Sequence, residues 1–359
     1  MFDFNWHATD TSDKLEIYWI ILYVIISVSG LNMAVSELSE HNTPFEMHPD
    51  NLKIDNKPLI PKKISHLLNK RKIKITLDVF DSDIHNGVKP TIVFIHGNST
   101  SKKVFSDQIK YYSNNYRVIA FDLIGHGLST KISNIDGLTT NERFNLAQVF
   151  YNPFTMIAGV RQLLEAKAIN NAHLVGWSLG GHIAYGVAIE NPQLIASITT
   201  IGSPPIKFST KGIKKGLHEW FVDVLVPDWI NNPKNYSIPE AENITYHMGL
   251  NSSEKYFIDD LISTDPQMRK YLFLELNKYD SRKYIGTALD AENFAKSTSL
   301  PLCLIVGEKD CGIKADYIET FSGKFLNKSS RVVVIKDAPH AVFKTHTDKI
   351  HEIIDKFIE

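Results

Sequence analysis

The chain has 359 residues, 43% of them hydrophobic and 22% charged, which suits a full hydrophobic core and argues against a disordered or fibrous chain. Its formal net charge of -1 supplies no field for nucleic acid, so the expected partner is a small molecule and no nucleic acid. Two cysteines, Cys303 in an apolar run and Cys311 beside an acidic loop, lack metal-ligand spacing, and reduced thiols are the expected state.

Residues 17–34 read IYWIILYVIISVSGLNMA, an uncharged stretch just long enough for a bilayer helix. Three readings stand: a membrane-spanning or signal-anchor helix, a hydrophobic helix docked on the domain, or an extension upstream of a start at Met33. Asp3, Asp10, Asp13 and Glu16 against the single Lys14 are unlike the basic flank of a secretory signal. The location is accordingly read as membrane-anchored through 17–34 or cytoplasmic. Residues 36–71, with Pro44, Pro49, Pro58 and Pro61 among polar neighbours, read as a linker or surface wrap.

From residue 72 onward, strand-like and helix-like segments alternate. Strands are expected at 73–80, 91–95, 117–121, 173–176, 195–201, 302–306 and 332–335, and helices at 104–113, 154–167, 179–190, 314–325 and 347–358. That order implies an α/β fold, a mostly parallel sheet covered on both faces, built from 72–203 and 300–359. Across 204–299 the alternation breaks. Leu217, Trp220, Phe221, Val224 and Leu225 recur at helical spacing, and residues 271–274 form a second apolar patch, which predicts an inserted helical cap over the site.

Chemistry-bearing residues fall at the carboxyl ends of the predicted strands. His96-Gly97-Asn98-Ser99 follows 91–95, where a backbone N–H of Asn98 or Ser99 is a candidate oxyanion donor and His96 is read as bonding loop backbone. Asp122 and His126, after 117–121, are read as loop stabilisers. Gly176-Trp177-Ser178-Leu179-Gly180 lies between an apolar run and a helix-competent run, the context of a nucleophile elbow. Ser178 is the candidate nucleophile and the Leu179 N–H a second oxyanion donor. His182, on the helix beyond, is assigned packing or hydrogen bonding. After 302–306 comes Gly307-Glu308-Lys309-Asp310, with Asp310 the candidate acid and Glu308 the fallback. After 332–335 comes Asp337-Ala338-Pro339-His340, with His340 the candidate base. A serine hydroxyl needs a base to take its proton, and the base needs a carboxylate to hold its tautomer. None of the fourteen histidines forms an H-x-H-x-D-H or H-E-x-x-H set, so neither a metal nor a cofactor is expected.

These pieces, spread over 72–359, resemble the α/β-hydrolase family, whose Ser, acid, His order they match. Within it, IHGNSTSK at 95–102, GWSLGGHIA at 176–184 and IGSPP at 201–205 look like the serine-dependent N-acyl-homoserine lactonases. Those enzymes open the lactone ring of bacterial quorum signals without a metal. The resemblance implies substrate contacts from Asn98 and from a cap tyrosine, which is Tyr246 when 240–248 aligns without a gap, with Trp177 beside the nucleophile a further candidate. The subgroup's acid can be glutamate; Asp310 is one methylene shorter. The segment 17–34 has no counterpart in the resemblance. The expected function is hydrolysis of an acyl ester or lactone through an acyl-enzyme, with N-acyl-homoserine lactone as the sharpest form. The alternatives are a broad carboxylesterase or thioesterase and, in another class, a non-catalytic receptor holding a ligand in the same pocket.

Overall fold

The computed structural model describes residues 41–83, 89–251, 253–274 and 286–359; the segment 17–34 and the alternative start at Met33 lie outside the described residues. Among the described residues no helix is long and apolar enough to cross a membrane. Runs such as TIVFI and RVIAF have no polar alternation, so as strands they must be covered on both faces. Every residue of both is buried.

The strands are β1 Asn42–Glu46, β2 Lys53–Ile54, β3 Lys57–Pro58, β4 Thr76–Asp81, β5 Thr91–Ile95, β6 Arg117–Phe121, β7 Ala172–Trp177, β8 Ile195–Ile201, β9 Leu302–Gly307 and β10 Arg331–Ile335. Eight of them form one sheet in the order β1-β4-β6-β5-β7-β8-β9-β10, and β2 pairs with β3 apart from it. The β1/β4 and β4/β6 pairs are antiparallel and the rest of the large sheet is parallel. Side chains alternate between faces with the period of two that a strand imposes. Val93, Ile95, Ile119 and Leu174 point into one core layer, and Ile92, Phe94, Val118 and Val175 into the other.

The helices are α1 Lys62–Arg71, α2 Ser106–Tyr112, α3 Thr140–Phe150, α4 Pro153–Ala166, α5 Leu179–Glu190, α6 Thr210–Gly216, α7 Val226–Asn231, α8 Ile238–His247, α9 Lys255–Ser263, α10 Pro266–Leu274, α11 Ala291–Ser297, α12 Ala315–Glu319, α13 Val342–Thr345 and α14 Thr347–Ile358. Phe154, Ile157, Leu163 and Ile183 from α4 and α5 fill the first layer, and Ile109, Ile350 and Ile354 from α2 and α14 fill the second. The fold is the expected doubly covered α/β sheet. The insertion between β8 and β9 carries α6 to α11 and stands over the carboxyl end of the parallel strands.

The described part of 36–71 is not a linker or surface wrap. β1 extends the sheet, and Met47, Leu52, Ile54, Ile60, Ile64 and Leu68 are buried in the first core layer. The prolines concealed this. Pro44 lies in an edge strand, where a missing N–H need cost no ladder bond, and Pro61 caps the start of α1.

Candidate active site

The parallel register brings the ends of β5, β7, β8, β9 and β10 to one edge, with Ile95 opposite Gly176, Trp177 opposite Ile201, Ile201 opposite Ile305 and Gly307 opposite Ile335. Ser178 stands at the turn from β7 into α5 with φ 52 and ψ -118, a backbone region that L-residues avoid at a cost of about 1–3 kcal/mol. The turn is held from both sides. Ser178 N–H donates to Ile201 O at 2.9 Å, and its carbonyl accepts from Gly181 N–H at 3.1 Å and from the Ser203 hydroxyl. A Cβ on Gly176 would lie 2.5 Å from Gly180 O, and one on Gly180 would collide with the Ile95 carbonyl, so the flanking glycines answer close backbone approach.

Asp310 and His340 meet from adjacent loops. His340 Nδ1 and Asp310 Oδ2 are 2.6 Å apart, and the Asp310 side chain is wholly buried. Its other oxygen accepts from the N–H groups of Gly312 and Ile313 at 2.9 and 2.8 Å, which fixes the carboxylate while its partner is imidazole. Trp177 Nε1–H donates to His340 O at 3.2 Å and the two rings lie 5.3 Å apart, so Trp177 braces the histidine loop as well as lining the cavity. The fallback acid is elsewhere: Glu308 is exposed and accepts from Asp337 N–H at 2.9 Å. Gly202, which the residue-by-residue reading passed over, lies under this pair at φ 55. A Cβ there would come within 2.9 Å of His340 Cε1 and 3.2 Å of Asp310 Oδ2.

Ser99 takes φ 58, and its hydroxyl donates to Asn98 Oδ1 at 3.1 Å while accepting from Arg269 Nη1 of α10 at 3.2 Å. Leu179 is the first residue of α5, so its N–H is among the donors a helix leaves unpaired. His96 Nε2 accepts from Leu123 N–H at 2.8 Å and its Nδ1 lies 2.7 Å from Gly97 O, a pattern satisfied by the Nδ1–H tautomer. Burial pushes this imidazole down to about 4, so it stays neutral while bonding loop backbone. Asp122 receives Lys102 N–H and Leu128 N–H at 2.8 and 2.9 Å, and His126 Nδ1 lies 3.1 Å from Ile124 O; both belong to the loop after β6.

Asn98, Ser99, Trp177, Ser178, Leu179 and His340 all line one cavity of about 530 Å³. Its roof is apolar and comes from the insertion: Leu217, Trp220, Phe221, Val224, Leu225, Trp229, Leu272 and Phe273. The roof is also tied to the site. Ala341 N–H donates to Met248 O at 3.0 Å, and Ser101 Oγ donates to Asp260 Oδ2 of α9 at 2.5 Å.

Tyr246 is corrected. It is 75% exposed and does not line the cavity, because α8 turns Asn243, Ile244 and His247 inward and leaves Tyr246 on its outer side. Among the described residues, the cap tyrosine that lines the cavity is Tyr236. Its hydroxyl accepts from Trp229 Nε1–H at 2.5 Å, and the Arg269 guanidinium lies 4.4 Å from its ring centre. Cys311 also lines the cavity, but burial raises its thiol to about 12, which leaves it protonated; both cysteines are free. Among the described residues no three His, Cys, Asp or Glu side chains converge as a metal site.

A model of the alpha/beta hydrolase fold family matches residues 90–347. The pimeloyl-[acyl-carrier protein] methyl ester esterase of Aeromonas hydrophila is 23% identical over 275 residues, covering 76% of this chain and 96% of the relative. The monoacylglycerol lipase ABHD6 of Bos taurus is 23% identical over 281 residues, 76% of each chain. Among solved structures, the N-acyl homoserine lactonase AidH complexed with N-butanoyl homoserine is similar with a TM-score of 0.62 and 23% identity, over 79% of this chain and 93% of that one. An esterase from Exiguobacterium antarcticum gives 0.59 and 16%, over 79% and 96%. At these identities the structural likenesses speak for the fold.

Proposed function

This chain belongs to the α/β-hydrolase fold family, and from that premise we propose that it is a serine hydrolase cleaving carboxylic esters or lactones of hydrophobic acyl groups through an acyl-enzyme. The observation that carries the reading is a serine held in a strained elbow on the wall of an apolar cavity that also exposes a histidine bonded to a buried aspartate.

Each group has one task. His340 Nε2 takes the Ser178 proton as Oγ attacks the ester carbonyl, and Asp310 keeps Nδ1–H fixed and stabilises the imidazolium. The N–H groups of Leu179 and of the Asn98–Ser99 turn receive the developing oxyanion. On collapse His340 returns the proton to the leaving alkoxide, giving the acyl-Ser178 ester. A water deprotonated by His340 then attacks that ester, and the same proton path restores Ser178. In a lactone the leaving alcohol stays tethered, and the product is one hydroxy acid.

N-acyl-homoserine lactone is the sharpest substrate of this class, supported by the matching segments around Asn98, Ser178 and Gly202 and by the likeness to a lactonase of that name. The methyl ester esterase and monoacylglycerol lipase relatives favour simple acyl esters as the second reading. The purified protein, tested against p-nitrophenyl esters, acyl-thioesters and acyl-homoserine lactones, separates them. Ser178→Ala and His340→Ala should each lower kcat by about 10³-fold or more, with no further loss in the double variant, because the groups act as a unit. A fluorophosphonate that labels Ser178→Ala as strongly as the parent would refute the assignment.

A further inference from the structure

His182 lies in the first turn of α5, the helix that starts directly after Ser178, so the nucleophile elbow that fixes the serine also fixes the base of this imidazole. Both residues line the cavity. The imidazole packs edge-on against Phe208 with ring centres 5.9 Å apart, and among the described residues neither ring nitrogen has a hydrogen-bond partner. The other histidines that line the cavity have partners, His247 through Nδ1 at 2.7 Å from Asn243 O and His340 through Asp310, and His96 beneath them bonds loop backbone through both nitrogens. Burial lowers His182 to about 4, so at neutral pH its ring carries one donor and one acceptor and no charge. A polar group set in an apolar wall without a protein partner loses solvation unless the occupant of the cavity bonds to it.

We propose that His182 is a specificity-determining residue that hydrogen-bonds a polar group of the substrate close to the scissile carbonyl, so that the preferred substrates are hydrophobic acyl esters or lactones bearing an amide, hydroxyl or keto group near the reacting carbon. The inference rests on the serine-hydrolase reading of the same cavity and narrows its substrate class. A neutral imidazole suits this task. It can donate to a carbonyl or accept from an amide N–H or hydroxyl, while repelling neither the apolar chain nor the transient imidazolium at His340. Its place on the helix that begins at the nucleophile also fixes the distance between the polar group and the bond that breaks.

The test compares matched substrates in the full-length protein: p-nitrophenyl hexanoate with its 3-hydroxy analogue, and N-hexanoyl-homoserine lactone with an alkyl γ-lactone lacking the amide. The readout is the ratio of kcat/KM for the polar member to that for the plain member. The parent should favour the polar member in at least one pair. His182→Phe, which keeps a ring and removes both nitrogens, should reduce that preference about tenfold, the scale of one hydrogen bond. His182→Gln, able to donate and accept, should restore part of it. A residue that merely packs would lower both members alike, so a ratio unchanged within twofold in both pairs overturns the inference. A parent that hydrolyses none of the four substrates and whose Ser178 escapes fluorophosphonate labelling overturns the serine-hydrolase reading instead, and His182 with it.

Discussion

At the scale of single residues, the site depends on groups with no chemistry of their own. Gly202 is the clearest case, because its positive φ and the 2.9 Å approach that a Cβ would make to His340 Cε1 leave room only for hydrogen. Gly202→Ala should shift the imidazole by a fraction of an ångström and lower kcat at least tenfold, with KM nearly unchanged and the protein still folded. Steady-state kinetics on an activated ester with circular dichroism as control checks this; a wild-type kcat would show that the loop accommodates the methyl. In the sequence Gly202 is one glycine after an apolar strand. Its need for a missing side chain arises from a loop more than a hundred positions away.

At the scale of elements, the insertion is positioned by polar contacts to the core. Asp260 on α9 accepts from Ser101 Oγ, just beyond the Asn98–Ser99 turn, and burial raises its carboxyl to about 7. An unfolded aspartate titrates near 4, so between about pH 4 and 7 the folded state keeps a proton that the unfolded state has released. Stability therefore falls as pH rises through that window and levels off above it. Asp260→Asn retains the serine bond without the charge. Its melting temperature relative to the parent should rise between pH 4 and 7 by several degrees, then stay constant to pH 8; a difference independent of pH would mean that Asp260 is ionised throughout. Two elements depart from their sequence pattern. α3 was not expected, since its apolar residues form no single stripe, yet Thr139 and Glu142 form a capping box that announces its start. The helix expected over 314–325 shortens to α12, Ala315–Glu319, followed by turns and by Gly323 at φ 71.

At the scale of the whole molecule, the described residues before the first expected strand add a strand to the sheet, β1, and side chains to the core. Removing residues 1–61 would strip β1 from the edge of β4 and the buried side chains of Met47, Leu52, Ile54 and Ile60 from the core. At about 1.5–3 kcal/mol for each buried side chain, that loss rivals the net stability of an ordinary domain. A protein lacking 1–61 should therefore aggregate or unfold at a much lower urea midpoint than one lacking 1–40; equal midpoints would show that the segment is dispensable. Much else is legible in the amino-acid sequence. Short uninterrupted apolar runs that alternate with helix patterns fit strands buried on both faces, and loops at their carboxyl ends fall along one sheet edge, so Ser178, Asp310 and His340 stand out as candidates from the elbow motif, their place after strands and their Ser, acid, His order. Tyr246 could not be judged that way, because alignment along a chain says nothing of which face a cap helix turns inward. Nor could His182: its helix was evident, but what the ring on it packs against is set by Phe208 and the insertion that closes over the sheet edge. Local pattern determines which backbone forms and where reactive groups cluster. Burial and close approach depend on side chains far apart in sequence, and those only the tertiary structure decided.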